Sequence, residues 1–235
     1  ALDLALHTSK LTSPDFFAAA VLLPRPPPPP PPPSAAAVQP RVVLLAPPPL
    51  LEAMRCGLAS GASVVGCLDG GDLSGLGALL AATRPTHIVH ALLLGGRGAA
   101  AATLCEVARA LGAAGACSGV TLLCLRYRSL QTPQQTLAYM SQGAAMASAM
   151  CKALAAELPR RIGRSAVLEL PHGTTAGQAA AHVCGELRVT SSLDLDVSYD
   201  GAGTRLVRRY RAVGAALANL GDHGAALVSA HASLA

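Results

Sequence analysis

Thr86-His87-Ile88-Val89-His90-Ala91-Leu92-Leu93-Leu94-Gly95-Gly96 is an apolar run closed off by two glycines, and it reads as a strand buried on both faces. A strand with one wet face alternates apolar with polar residues. A continuous apolar run belongs instead to a parallel sheet covered by helices on both sides. Similar short runs recur at residues 41–46, 62–68, 119–126 and 165–170. Alanine- and leucine-rich segments long enough to be helices lie between them, so the order strand, helix, strand repeats. The spacing predicts an α/β chain with a doubly wound, mostly parallel sheet joined by right-handed crossovers. Sheets of this kind take their ligands at the carboxyl ends of the strands.

The chain has 235 residues, 51% of them hydrophobic, which suffices for one sizeable core plus extensions. No apolar run reaches the roughly 18 residues of a membrane span, and the N-terminus lacks the charged-then-apolar pattern of a signal peptide. A soluble cytoplasmic chain, or a piece of one, is expected, with an organelle as the alternative. The net charge is +5, but 13% charged and 3% aromatic residues weigh against a basic face with stacking rings for nucleic acid. The seven cysteines (Cys56, Cys67, Cys105, Cys117, Cys124, Cys151, Cys184) contain no Cys-x-x-Cys pair. They are expected to be reduced, buried, small apolar side chains rather than a zinc or redox site. His87 and His90 are three residues apart, which on a strand points them to opposite faces, so they are not expected to share a metal. His90 is expected to be a satisfied core histidine.

Residues 16–23 can add a strand at the sheet edge. Pro26 to Pro33 is an unbroken proline tract, extended or disordered, that reads as a spacer. Residues 1–40 are therefore an extension and linker, the folded part runs over 41–213, and the alanine-rich 214–235 is a tail. After the first strand of the folded part, Arg41–Ala46, the turn is Pro47-Pro48-Pro49-Leu50. A dinucleotide site needs glycine there, so that backbone N–H groups can approach the pyrophosphate. Three prolines remove three donors. Gly57-x-x-x-Gly61 comes a helix too late, and Gly70-Gly71 follows the wrong strand. Further helices are expected over 101–115, with Leu104, Val107 and Leu111 on one face, over 133–158, and over 174–188. Residues 193–199 and 204–210 alternate around Asp200-Gly201, a half-exposed C-terminal β-hairpin.

Five segments in this order carry a resemblance: the Thr86–His90 strand, the Val120–Arg126 strand, the helix end Lys152–Pro159, the strand Val167–Pro171, and Tyr199–Arg209. Together they resemble the structural, catalytically silent half of the ketoreductase region in modular polyketide synthases and animal-type fatty acid synthases. The likeness covers about Arg41 to Val213, nearly three quarters of the chain. It implies a truncated Rossmann-like sheet related to the short-chain dehydrogenases. It also implies a non-catalytic role beside an NADPH-dependent β-ketoacyl reductase, with no cofactor in this chain. The implied partners are the catalytic ketoreductase subdomain and neighbouring synthase domains, with no nucleic acid and no membrane. The proline tract and the tail are departures from the family.

Catalytic members of that superfamily use a tyrosine to deliver a proton, a nearby lysine to lower its pKa, and a serine on the substrate oxygen. The residues at comparable places are Ser129 and Tyr139. Four residues after the tyrosine stands Gly143, where reductases carry lysine or asparagine. Lys152 is thirteen residues beyond Tyr139, about 20 Å along a helix. Tyr139 is therefore expected to pack rather than to react. A divergent reductase using Ser129 and Tyr139 is the enzymatic alternative, and a scaffold recognised through its proline tract is a third reading. In the hairpin, Arg205, Arg208 and Arg209 beside Leu206 and Val207 suggest an exposed basic edge. That edge either contacts the catalytic half or guards the sheet against aggregation.

Overall fold

The structure, a computed structural model, describes residues 18–26, 39–70, 72–95, 100–113, 115, 117–128, 139–189 and 195–212. The chain divides into two units, residues 24–207 and residues 1–23 with 208–235. The strands are β1 (Ala18–Pro24), β2 (Arg41–Ala46), β3 (Ser63–Asp69), β4 (His87–His90), β5 (Val120–Tyr127), β6 (Ile162–Leu170), β7 (Asp196–Tyr199) and β8 (Arg205–Ala212). The helices are α1 (Pro48–Leu58), α2 (Leu76–Thr83), α3 (Ala100–Ala113), α4 (Tyr139–Glu157) and α5 (Ala176–Glu186), with a 3-10 turn at Leu92–Gly95. In the smaller unit the description is confined to β1 and the outer part of β8, its neighbour in the strand order. The proline tract from residue 27 and the tail from residue 213 lie outside the described residues.

In the larger unit the strand order is β8-β7-β6-β5-β4-β2-β3. All pairs are parallel except β7–β8, which forms the expected antiparallel hairpin. The α/β class and the mostly parallel sheet are thus as the apolar runs predict. Each central strand feeds two cores. Val42, Leu44, Val89, Leu123 and Leu168 face one cluster with Met54 and Leu58 of α1 and Ala180 and Val183 of α5. Val43, Leu45, Ile88 and Leu122 face the other, with Leu80 of α2, Leu104, Val107 and Leu111 of α3 and Cys151 of α4. Every one of these side chains is at most 1% exposed, and burial of each large one stabilises by roughly 1.5–3 kcal/mol. Val42–Leu45, Ile88–Val89 and Leu122–Leu125, the middles of β2, β4 and β5, are all apolar because neither face meets water.

The ends of the elements have local causes. At α5, Thr175 is an N-cap in a capping box: its side chain accepts from the Gln178 N–H, and the Gln178 side chain accepts from the Thr175 N–H. Arg84 ends α2 in the left-handed region, at φ 43°, donating its N–H to the Leu80 carbonyl at 2.9 Å. Gly57 on α1 is required by close helix packing, because a Cβ there would sit 2.6 Å from the Cβ of Ala180.

Three expectations are corrected. The central strand stops at His90 rather than running to Gly96, since the last ladder partners on either side are Leu45 and Cys124. The Ala91 N–H still reaches the Leu45 carbonyl at 2.7 Å, and the chain then turns into Leu92–Gly95. Pro48 and Pro49 are not turn residues but the first residues of α1, where their fixed φ suits a helix. The cysteines are free but not uniformly buried: Cys117, Cys124 and Cys151 are, whereas Cys56 and Cys105 are exposed. Among the described residues no helix is long and apolar enough to cross a membrane.

Candidate functional site

β2 is where the strand order reverses, since its first crossover leads to β3 on one side and its second to β4 on the other. The crevice beyond the carboxyl ends of β2 and β4 is therefore where a doubly wound sheet would take a nucleotide. Its groups do not suit phosphate. A helix N-terminus holds an anion through the free N–H groups of its first turn. Here Pro48 and Pro49 have none, and the next two, Leu50 and Leu51, both donate to the Pro47 carbonyl, at 2.9 and 3.0 Å. Apolar side chains occupy the mouth. Leu94 is buried in the cluster that Leu50 and Leu51 pack against, and Leu92 lies so close to Gly70 that a Cβ there would stand 2.4 Å from its Cδ2. One feature that composition and motif reading passed over does fit a dinucleotide. Asp69 ends β3, the strand position from which such folds offer a carboxylate to the ribose. The ribose half of that contact set is present and the phosphate half is not.

The residues at the reductase positions are not brought together. Ser129 lies outside the described residues, and Tyr139 opens α4 with its side chain outside them. Gly143 sits within α4 with no side chain to offer. Lys152 is committed elsewhere, its Nζ 2.7 Å from Asp196 Oδ2, and so ties α4 to β7. A lysine held in that pair, more than three turns from Tyr139, cannot lower the pKa of its phenol.

Beyond the ends of β5, β6 and β7 lies a cleft of about 390 Å³ whose lining includes His172, Thr174, Gln178, His182, Asp200 and Gly203. Its polar groups are largely consumed by the fold. The Asp200 carboxylate accepts the N–H groups of Thr204 and Ala202, which hold its pKa below the usual range and shape the hairpin turn. The Thr174 hydroxyl donates to the Pro171 carbonyl at 2.7 Å, and the Tyr127 hydroxyl donates to the Thr174 carbonyl at 3.2 Å. His182 stacks on Tyr199 at 4.0 Å, and burial lowers its pKa although Glu186 opposes this. Next to the cleft, Arg126 and Arg128 share the Glu169 carboxylate, and Arg128 also donates to Ser198 and to the Tyr199 carbonyl.

Beneath the hairpin sits a buried ionic cluster. Glu186 is 0% exposed and accepts from Arg164 at 2.9 Å, from Arg205, and from the Tyr199 hydroxyl at 3.0 Å. Burial alone would raise the Glu186 pKa, but Arg205 and Arg164 outweigh it and hold the carboxyl lower than usual. Burial, reinforced by Glu186, pushes the Tyr199 phenol well up. The expectation that Arg205 forms an exposed basic edge is thereby corrected. Arg205 is 4% exposed, because it and Val207 fall on the face of β8 turned to the core, where Glu186 waits. The side chains of Arg208 and Arg209 lie outside the described residues.

His90 is the satisfied core histidine its setting predicts. Its Nε2 is 2.9 Å from the Thr103 hydroxyl and its Nδ1 is 3.6 Å from the Cys124 sulfur, while burial lowers its pKa to about 4. His87, on the other side of the sheet, contacts the Thr86 hydroxyl at 2.8 Å. Among the described residues no group of three or more His, Cys, Asp or Glu side chains could hold a metal ion. The carboxyl end of the sheet thus presents capped turns, shared carboxylates and leucines. No family model matches the sequence, and no curated protein matches it significantly.

Proposed function

We propose that this chain is a non-catalytic structural subdomain that supports the NADPH-dependent β-ketoacyl reductase of a polyketide or fatty acid synthase. In this reading its sheet is a truncated relative of the short-chain dehydrogenase fold, and NADPH belongs to the associated catalytic subdomain. The observation that carries it is the junction of β2 and α1, where the first four residues of the helix leave no backbone N–H free for a phosphate. Truncation is supported by the strand order, which has one strand, β3, on the far side of β2 where the six-stranded dinucleotide fold has two. The commitment of Lys152 to Asp196 supports the same reading.

The partner contact on this reading is with the catalytic ketoreductase half, through the C-terminal hairpin. Arg208 and Arg209 remain its candidate residues, whereas Arg205 acts from beneath as a support. Titrating the whole chain with NADPH and following nucleotide fluorescence tests the central point. No saturable signal is expected up to millimolar nucleotide. Saturation in the micromolar range would defeat the proposal in favour of a divergent reductase.

A further inference from the structure

We infer that the amino-terminal pole of the sheet, opposite the nucleotide crevice, is a docking surface for an acidic protein segment rich in Asp and Glu. The parallel strands β2, β4 and β6 begin there, and α2, α4 and α5 end there, so loops preceding strands and loops following helices meet on one side. Those loops place Arg41, Arg84, Arg160, Arg161 and Arg188 at the pole, all exposed except Arg161, which is half-buried.

A chain of contacts joins these positions into one surface. The Leu187 backbone, next to Arg188, lies beside the ring of His87 and acts on it. Thr86, before His87, exchanges hydrogen bonds with the backbone of Arg41, and the Arg41 guanidinium donates to the Thr83 carbonyl at 2.5 Å. Thr83 adjoins Arg84. Arg84 and Arg161 both act on the Cys117 thiol, and Arg161 donates to the Gly115 and Cys117 carbonyls, each at 2.9 Å.

The charge here is unbalanced in a way that the rest of the fold is not. Seven other cations, among them Arg55, Arg109, Lys152 and Arg205, each touch a carboxylate. Among the described residues none of the five pole arginines does, and Glu157 is the one acid nearby that is exposed. Helix and loop carbonyls satisfy part of this charge, through the helix macrodipole and the bonds of Arg41 to the end of α2 and of Arg161 to the Gly115 and Cys117 carbonyls. Arg84, Arg160 and Arg188 are exposed residues. A planar guanidinium fork matches a carboxylate. Among the described residues, Tyr127 and Tyr199 stand at the opposite ends of their strands and the ring at the pole is that of half-buried His87, already held by the Thr86 hydroxyl, so no open ring is offered on which a base could stack. Carboxylates rather than nucleic acid therefore complement it. The inference holds whether or not the chain supports a reductase.

The test uses the full chain and fluorescein-labelled poly-L-glutamate of twenty residues, by anisotropy at 50 mM salt. Saturable binding that fades toward 500 mM salt is expected. Arg160→Gln with Arg188→Gln should weaken it at least tenfold, whereas Arg55→Gln with Arg109→Gln, which removes the same charge elsewhere, should change it less than twofold. Circular dichroism checks each fold, and the single variants replace the double if it unfolds. Equal losses in the two pairs, or no saturable binding, would overturn the inference. So would duplex DNA of equal charge that binds ten times tighter than the peptide and is lost in the same variant, which would make the pole a nucleic-acid surface.

Discussion

Replacing Glu186 by Gln probes the strongest polar commitment in the fold. The carboxylate lies between two guanidinium groups that are themselves at most 4% exposed, and it also accepts from Tyr199. Gln keeps the shape but removes the carboxylate charge that Arg164 and Arg205 share, and removing one side of a buried pair costs about 3–5 kcal/mol. Against a total stability of roughly 5–15 kcal/mol, that is at least about a fifth. In a unit of this size it corresponds to a fall in Tm of roughly 6–20 °C. Urea unfolding followed by circular dichroism at 222 nm reads the loss directly. The pH dependence has a definite sign. Because the folded pKa of Glu186 is depressed, its stabilisation is fully present above the ordinary glutamate range and disappears as pH falls through the folded value. The wild type should therefore lose stability toward acid more steeply than Glu186→Gln. A loss below about 1 kcal/mol in the variant would refute the reasoning, as would parallel acid profiles. Converting all three residues together, Glu186→Leu with Arg164→Met and Arg205→Met, should recover most of the loss, since apolar replacement of a whole buried cluster is often neutral.

Val89→Asp should abolish cooperative folding, because Val89 lies between Leu44 and Leu123 with no water on either face and an isolated carboxylate there has no partner. A soluble variant with a sharp melting transition would show that β4 is not central. Gly57→Val should cost about 1–3 kcal/mol through overpacking against Ala180, measured by the urea midpoint, and an unchanged midpoint would mean that α1 and α5 separate easily. The chain should not reduce a β-ketoacyl thioester with NADPH, followed at 340 nm. Turnover that Tyr139→Phe abolishes would contradict this.

Much of the fold is legible in the sequence because two-sided burial writes itself as uninterrupted apolar runs. β2, β5 and the core of β6 stand where Arg41–Ala46, Gly119–Arg126 and Ser165–Leu170 place them. The end of β4 was not legible, because Leu92–Leu94 are as apolar as Ile88–Val89 and differ only in having no strand beside them. Nor was the fate of the prolines: a turn and a first helical turn both accept a fixed φ, and only the helical course of the chain after Pro49 separates the two. The burial of Arg205 depends on Glu186, nineteen residues earlier on a different element, and no local pattern announces such a pair. Of the candidate site, the missing donors were readable from Pro47-Pro48-Pro49. The leucine filling was not, because Leu92 and Gly70 meet only through the sheet.

That filling puts a phosphate site out of reach of small changes. Glycine at positions 48 and 49 would restore N–H groups, yet the mouth would stay occupied until Leu92 and Leu94 were cut back. Truncating a buried leucine costs about 2–5 kcal/mol, and nothing would be bound in return until the donors had also been rebuilt. Each single change is thus disadvantageous before the last one is made. A crevice packed in this way is separated from phosphate binding by the core itself, although Asp69 stands at the end of β3.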